Sequence, residues 1–180
     1  MKRSALITGL PLGLALSLAC APSASAVPAL DSGTHFIHHQ SHHNHQSHQA
    51  PRIVKTWLKA WNDADAQRLG SLFTGDGRYT DHAFGPTFTG PAGVQQWVAN
   101  THAGIADVRG DLRWAHKHGD EIVFSWYFSG HFRGAPEGFR VPAVTVITLR
   151  GNKIATNDDY YSHADVLAQS GLPADWQPDA

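Results

Sequence analysis

Two short runs hold the residues best suited to moving a proton: Tyr79-Thr80-Asp81-His82, and Asp158-Asp159-Tyr160-Tyr161 near the end of the chain. A carboxylate set among apolar and aromatic groups is pushed towards its neutral form, so its pKa climbs towards the pH at which it must work. Such a group can take a proton beside a carbonyl and return it elsewhere. Asp159 and Asp81 are therefore candidate acid/base residues. On a regular strand Asp158 turns away from Asp159, and His82 from Asp81, so neither adjacent pair forms a direct dyad. A bulge would exchange Asp158 and Asp159, and His82 in the pocket is an alternative to Asp81. Asp81 also suits a plain role as a hydrogen bonder at a turn. His131 lies on a strand that neighbours His116, and a His/Asp pair in a cavity could serve as acid and base or hold a metal. Tyr79, Tyr127 and Tyr161 offer phenols, and Trp57 and Trp97 offer rings, for a substrate wall. The helical spacing of the tryptophans is equally explained by core packing.

Other chemistries find less support. No phosphate-binding loop, dinucleotide fingerprint or nucleophile elbow occurs. No His-x-x-x-His or similar ligand spacing lies inside the folded part, so no metal is expected there and no cofactor is implied. Lys plus Arg number 14 against 15 Asp plus Glu, with no basic patch, which argues against a nucleic-acid partner.

These residues need elements to place them. After Pro51, the apolar positions Ile53, Val54, Trp57, Leu58 and Trp61 recur at helical spacing. That helix ends at Asn62-Asp63. A shorter one runs through Leu69 to Phe73 and stops at Gly75-Asp76-Gly77. Arg78 to Phe84 reads as a strand, and Gly90-Pro91 opens a third helix with Val94, Trp97 and Val98 inward. The rest is mostly strand: Asp107 to His118, Glu121 to Phe132, Phe139 to Arg150 and Lys153 to Ser162, with turns at Gly119-Asp120 and Gly151-Asn152. A short helix from Ala164 to Gln169 follows. On the strand from Glu121, Ser125, Tyr127, Ser129 and His131 share one face, and Phe124, Trp126, Phe128 and Phe132 the other. Helices first and a meander afterwards give the α+β class: a cone-shaped, curved antiparallel sheet wrapped around N-terminal helices, with a pocket inside.

The chain before Pro51 reads differently. Lys2-Arg3, an apolar run from Ala5 to Ala19, and Ala24-Ser25-Ala26 have the order of a secretory signal peptide spanning 1–26. The run is shorter than the roughly 20 residues a spanning helix needs, so no stable membrane insertion is expected. Leu16-Ser17-Leu18-Ala19-Cys20 gives the alternative of a lipid anchor on Cys20, the only cysteine. Residues 27–49 carry seven of the 13 histidines and almost no apolar content, as expected of a disordered leader. His38, His39, His42 and His43 are weak metal candidates there. Residues 50–180 form one domain.

The order of these elements, and four phrases within them, resemble the SnoaL-like members of the nuclear transport factor 2-like superfamily, which has a cystatin-like fold. The phrases are Trp61-Asn62-Asp63-Ala64-Asp65, Leu72 to His82, Gly90-Pro91-Ala92-Gly93, and Gly151-Asn152-Lys153-Ile154 running into Asp158-Asp159-Tyr160-Tyr161. The resemblance implies a pocket for a small hydrophobic molecule. It carries the cyclases' acid/base aspartate onto Asp159, and the ketosteroid isomerases' base onto Asp81. The isomerases' full set of tuned groups does not transfer: Trp57 stands where they have a tyrosine. Val141, Ala143 and Thr145 stand where their second acid lies, and Thr145 where the cyclases have a histidine.

The resemblance thus implies a cofactor-independent isomerase, cyclase or dehydratase acting on a small hydrophobic carbonyl or hydroxyl compound, and the signal-peptide pattern implies that it is secreted. The rival expectation is a non-catalytic carrier of a hydrophobic ligand, or a homodimeric interaction module. A third is an extracellular metal binder working through the His-rich leader.

Overall fold

The computed structural model describes residues 50–177. The expectations of a signal peptide, a lipid anchor on Cys20 and metal binding by His38, His39, His42 and His43 fall outside those residues. Among the described residues no helix is long and apolar enough to cross a membrane.

Helix α1 (Arg52–Asn62) buries Val54, Trp57, Leu58, Ala60 and Trp61, the one-sided apolar pattern that the spacing predicts. Helix α2 (Ala66–Ser71) is capped by Asp65, whose carboxylate accepts from the Arg68 N–H at 2.9 Å. Strands β1 (Phe73–Asp81) and β2 (Thr87–Thr89) follow, then α3 (Gly90–Gly104), with Pro91 in its first turn. Strands β3 (Ile105–His118), β4 (Glu121–Phe132), β5 (Phe139–Arg150) and β6 (Lys153–Tyr161) run as a meander into α4 (His163–Ser170).

The strands form one open six-stranded sheet in the order β2-β1-β6-β5-β4-β3. The meander is antiparallel as expected, but β1 lies parallel to β6. That pairing brings Asp81 into register with Asp159. Register breaks in the β1–β6, β3–β4 and β5–β6 pairs give the sheet its local bends. Rings from α1 and α3 pack on its inner face: Trp57 lies edge-on to Phe124 and Trp126 at 5.2 Å, and Trp97 lies 6.4 Å from Tyr79. Gly110 on β3 lets α1 approach, because a Cβ there would stand 2.8 Å from Leu58 Cδ2. The Asn62 side chain then grips both backbone groups of Gly110, accepting its N–H at 2.7 Å and donating to its carbonyl at 3.1 Å.

Several boundaries differ from the sequence reading. The second helix ends at Ser71, and Phe73 through Gly77 already belong to β1. Gly75-Asp76-Gly77 is a register break in that strand rather than a helix stop, since pairing with β6 holds at Phe73 and resumes at Arg78. The strand stops at Asp81 instead of Phe84 because Asp81 Oδ1 accepts the N–H groups of Ala83 and Phe84, at 2.9 and 3.0 Å, and bends the chain. The short strand β2 has no counterpart in the sequence reading. Strand β3 begins two residues early, at Ile105, and passes through Asp107 at φ +53°.

Candidate active site

Between the inner face of the sheet and α3 lies a cavity of about 780 Å³. Strand alternation explains its walls. On β4, Trp126, Phe128 and Phe132 point inward, and on β1 and β6 the inward positions fall on Tyr79, Asp81, Asp159 and Tyr161. Trp61 from α1, Trp97 from α3, and Phe84 add further rings.

The polar groups of this cavity form two crossed pairs. Tyr79 on β1 donates its hydroxyl to Asp159 Oδ2 on β6. Tyr161 on β6 donates to Asp81 Oδ2 on β1 at 2.5 Å. Asp159 Oδ1 accepts two more bonds, from Thr145 Oγ1 at 2.7 Å and Asn157 Nδ2 at 2.9 Å. Thr145 in turn accepts from Trp126 Nε1 at 2.9 Å. An indole N–H can only donate, so this contact directs the threonine proton onto Asp159.

Burial dominates the electrostatics. Asp159 is 4 % exposed and Asp81 3 %. Loss of hydration raises the Asp159 pKa to about 7, against the three donors that favour its ionised form; the nearby Asp81 charge adds to the rise. Loss of hydration raises Asp81 too, held back by Tyr161 and the amides of Phe84 and Ala83. The same burial, with the neighbouring carboxylates, keeps both phenols protonated: the pKa values of Tyr79 and Tyr161 lie well above the ordinary tyrosine value. Asp159 can therefore exchange a proton near neutral pH, while the tyrosines serve as donors.

Not every candidate residue reaches this cavity. Asp159, Asp81, Tyr79, Tyr161 and Trp97 line it. His82 does not: it lies on the opposite face, 2.9 Å from Asp158 Oδ1 and stacked on Tyr160 at 4.4 Å. Strand β1 stays regular from Arg78 to Asp81, which is why His82 and Asp81 do not exchange faces. His131 is bonded to the Ala135 carbonyl at 2.9 Å, at a tight turn outside the cavity wall. It does not meet His116, because their register partners are Ala106 and Val123 respectively. Tyr127 also lies on the far side of β4, under the Arg140 guanidinium at 3.6 Å. Trp57 is wholly buried in the core behind the cavity wall. Among the described residues, no group of three or more His, Cys, Asp or Glu side chains could hold a metal ion.

Sequence reasoning missed Thr145 and Asn157 as partners of Asp159, and Trp126 as the donor that orients Thr145. The inward parity of Trp126 and the pairing of β5 with β6 were the available signals, since Thr145 and Asp159 are register partners. It also missed Arg133 and Trp176, which border the cavity from a turn and from the chain's last described segment.

The comparisons with known proteins agree with this architecture. A crystal structure from Catenulispora acidiphila, described as a hypothetical protein with a ketosteroid isomerase-like fold in complex with trimethylamine, is 44 % identical. The match covers 72 % of this chain and 99 % of that one, with a TM-score of 0.70. An NTF2-like protein from Burkholderia thailandensis shares 18 % identity over 67 % of this chain and 95 % of its own, at a TM-score of 0.60. TerC, co-crystallised with polyporic acid, shares 17 % over 66 % and 95 %, at 0.59. No curated protein matches the chain. The family model described as a SnoaL-like domain matches residues 54–157, from the first helix to the strand that carries Asp159, and the chain belongs to that family.

Proposed function

We propose that the cavity is the site of a cofactor-independent acid/base reaction on a small hydrophobic carbonyl or hydroxyl compound: an isomerisation, cyclisation or dehydration. The observation that carries this reading is Asp159, a buried carboxyl in the cavity wall whose pKa lies near 7. In its ionised form Asp159 would take a proton from carbon beside the substrate carbonyl, and in its neutral form return it to another atom. When Asp81 is protonated it would donate to Tyr161 on the same wall, freeing the phenol hydroxyl to donate to the oxygen on which negative charge develops. The aromatic walls hold the substrate and exclude water. The test is turnover of a panel of cyclic ketones and β-hydroxy ketones, followed by deuterium exchange at carbon. Asp159→Asn keeps size and hydrogen bonding but cannot carry the proton. The expected loss is about a hundredfold to ten-thousandfold in kcat. Turnover within about threefold of wild type would remove Asp159 from the chemistry.

A second reading has its own observation, the trimethylamine bound by the relative from Catenulispora acidiphila. Two carboxyls among aromatic rings would suit an organic ammonium ion, held by charge and by the ring faces, without turnover. The two readings differ in pH response. Ammonium affinity would rise as Asp159 ionises through about pH 7, and trimethylammonium titrated calorimetrically at pH 6 and pH 8 would show it. Equal affinity at both pH values would dismiss the ammonium reading.

The proposal extends to export of the chain with cleavage after Ala26. Secreted material should begin at Val27, and a lipidated Cys20 at its N-terminus would overturn this.

A further inference from the structure

The cavity is polarised. Its wall carries the two carboxyls on β1 and β6, and its rim carries two arginines, Arg109 and Arg133. Arg109 is already engaged, donating from Nε to Asp111 Oδ1 at 2.8 Å. Arg133 is not: among the described residues no carboxylate lies within ion-pairing distance of it. It is nevertheless held in place. Its Nε donates to the Ala103 carbonyl at 2.7 Å, and its backbone N–H to the Gly104 carbonyl at 2.9 Å. Both carbonyls belong to the last turn of α3, where a cation is favoured by the helix dipole. The two terminal guanidinium nitrogens make no hydrogen bond among the described residues. An arginine fixed through Nε keeps its outer nitrogens for a planar oxyanion, with little ordering left to do on binding.

We infer that the ligand of this cavity is an amphiphilic carboxylate whose anionic group rests on Arg133 at the rim while its apolar body lies among the rings. This rests on the reading of the cavity as a substrate pocket and adds the ligand's charge and orientation to it. The two ends of the cavity act in the same sense. The Asp81 and Asp159 carboxyls disfavour an anion beside them, and Arg133 favours one at the mouth. A carboxylate-bearing ketone or alcohol would therefore enter with its neutral, reacting end first.

The probes are 2-naphthoate and its neutral methyl ester, followed through quenching of the tryptophans that line the cavity. In the full chain, 2-naphthoate should bind at least about tenfold tighter than the ester, with that preference shrinking as salt is raised. Arg133→Gln should weaken 2-naphthoate about tenfold and leave the ester unchanged. Arg133→Lys, which keeps the charge but loses the fork, should recover part of the preference. Equal affinities of the two probes in wild type would overturn the assignment to Arg133 while leaving the pocket standing. So would an equal weakening of both probes by Arg133→Gln, which would mark Arg133 as a brace for the rim. Binding of neither probe at about 1 mM would count against both the assignment and the pocket itself.

Discussion

At the scale of single residues, Asp159 differs from Asp81 in who satisfies it. Asp81 Oδ1 rests on two backbone amides of its own turn, whereas all three donors to Asp159 are side chains from β1, β5 and β6. The Asp159 pKa is thus open to adjustment by substitution. Tyr79→Phe or Thr145→Val removes one bond that favours the ionised form. A hydrogen bond to a charged group is worth about 1.5–3 kcal/mol, or about one to two pKa units. The Asp159 carboxyl carbon, followed by NMR against pH, should titrate at correspondingly higher pH in either variant. Linkage gives the matching effect on stability. The folded-state pKa of about 7 exceeds the ordinary 3.8, so the folded chain keeps a proton that the unfolded chain releases between those values. The contribution of Asp159 to stability therefore falls as pH rises through that window and is flat above it. Asparagine does not titrate. The melting temperature of Asp159→Asn minus that of wild type should thus increase from pH 5 to pH 8. A constant difference would mean that the carboxyl is hydrated in the folded chain.

At the scale of elements, the pairs of acids and phenols depend on which strands lie side by side. The meander was legible in the sequence because its turns carry Gly119-Asp120 and Gly151-Asn152, and because β4 and β5 alternate along most of their length. The inward set Phe124, Trp126, Phe128 and Phe132 was legible for the same reason. The parallel contact of β1 with β6 was not, because it joins residues some 80 positions apart and leaves no local periodicity. Asp81 and Asp159 each stand out in the sequence, but only that contact makes them neighbours, at the roughly 4.8 Å spacing of paired strands. His82 lies outside the cavity through strand parity alone. The end of β1 was missed because an aspartate side chain, rather than a glycine or proline, turns the chain. A similar side-chain device seats α1: the Asn62 amide bonds to the Gly110 backbone. Gly110→Ala would drive a methyl group against Leu58 and the Trp126 ring. The expected cost is about 1–3 kcal/mol in denaturant unfolding. Because Trp126 also anchors Thr145, the variant should shift the Asp159 titration as well. An unchanged midpoint in both measurements would show that α1 seats itself without this contact.

At the scale of the whole molecule, an open sheet cannot close a cavity by itself, and the remaining side falls to α3 and to the last described segment. Trp176 borders the cavity and lies 4.8 Å from Phe132, positioned after α4 ends at the left-handed Gly171. Its N–H bonds to the Pro173 carbonyl at 3.0 Å, so a tight turn lays the ring over the wall. The function of this segment is then to complete the pocket more than to hold the core, since Trp176 is only half-buried. Trp176→Ala should lower the melting temperature slightly and weaken methyl 2-naphthoate, the neutral probe, by at least about fivefold. That is the loss of roughly 1 kcal/mol expected when an aromatic anchor is truncated. Trp114→Ala is the control: Trp114 is 42 % exposed on β3 and does not line the cavity, so its removal should leave the probe's affinity unchanged. The opposite result, a loss from Trp114→Ala and none from Trp176→Ala, would place the neutral probe on the exposed surface around Trp114 instead of in the cavity.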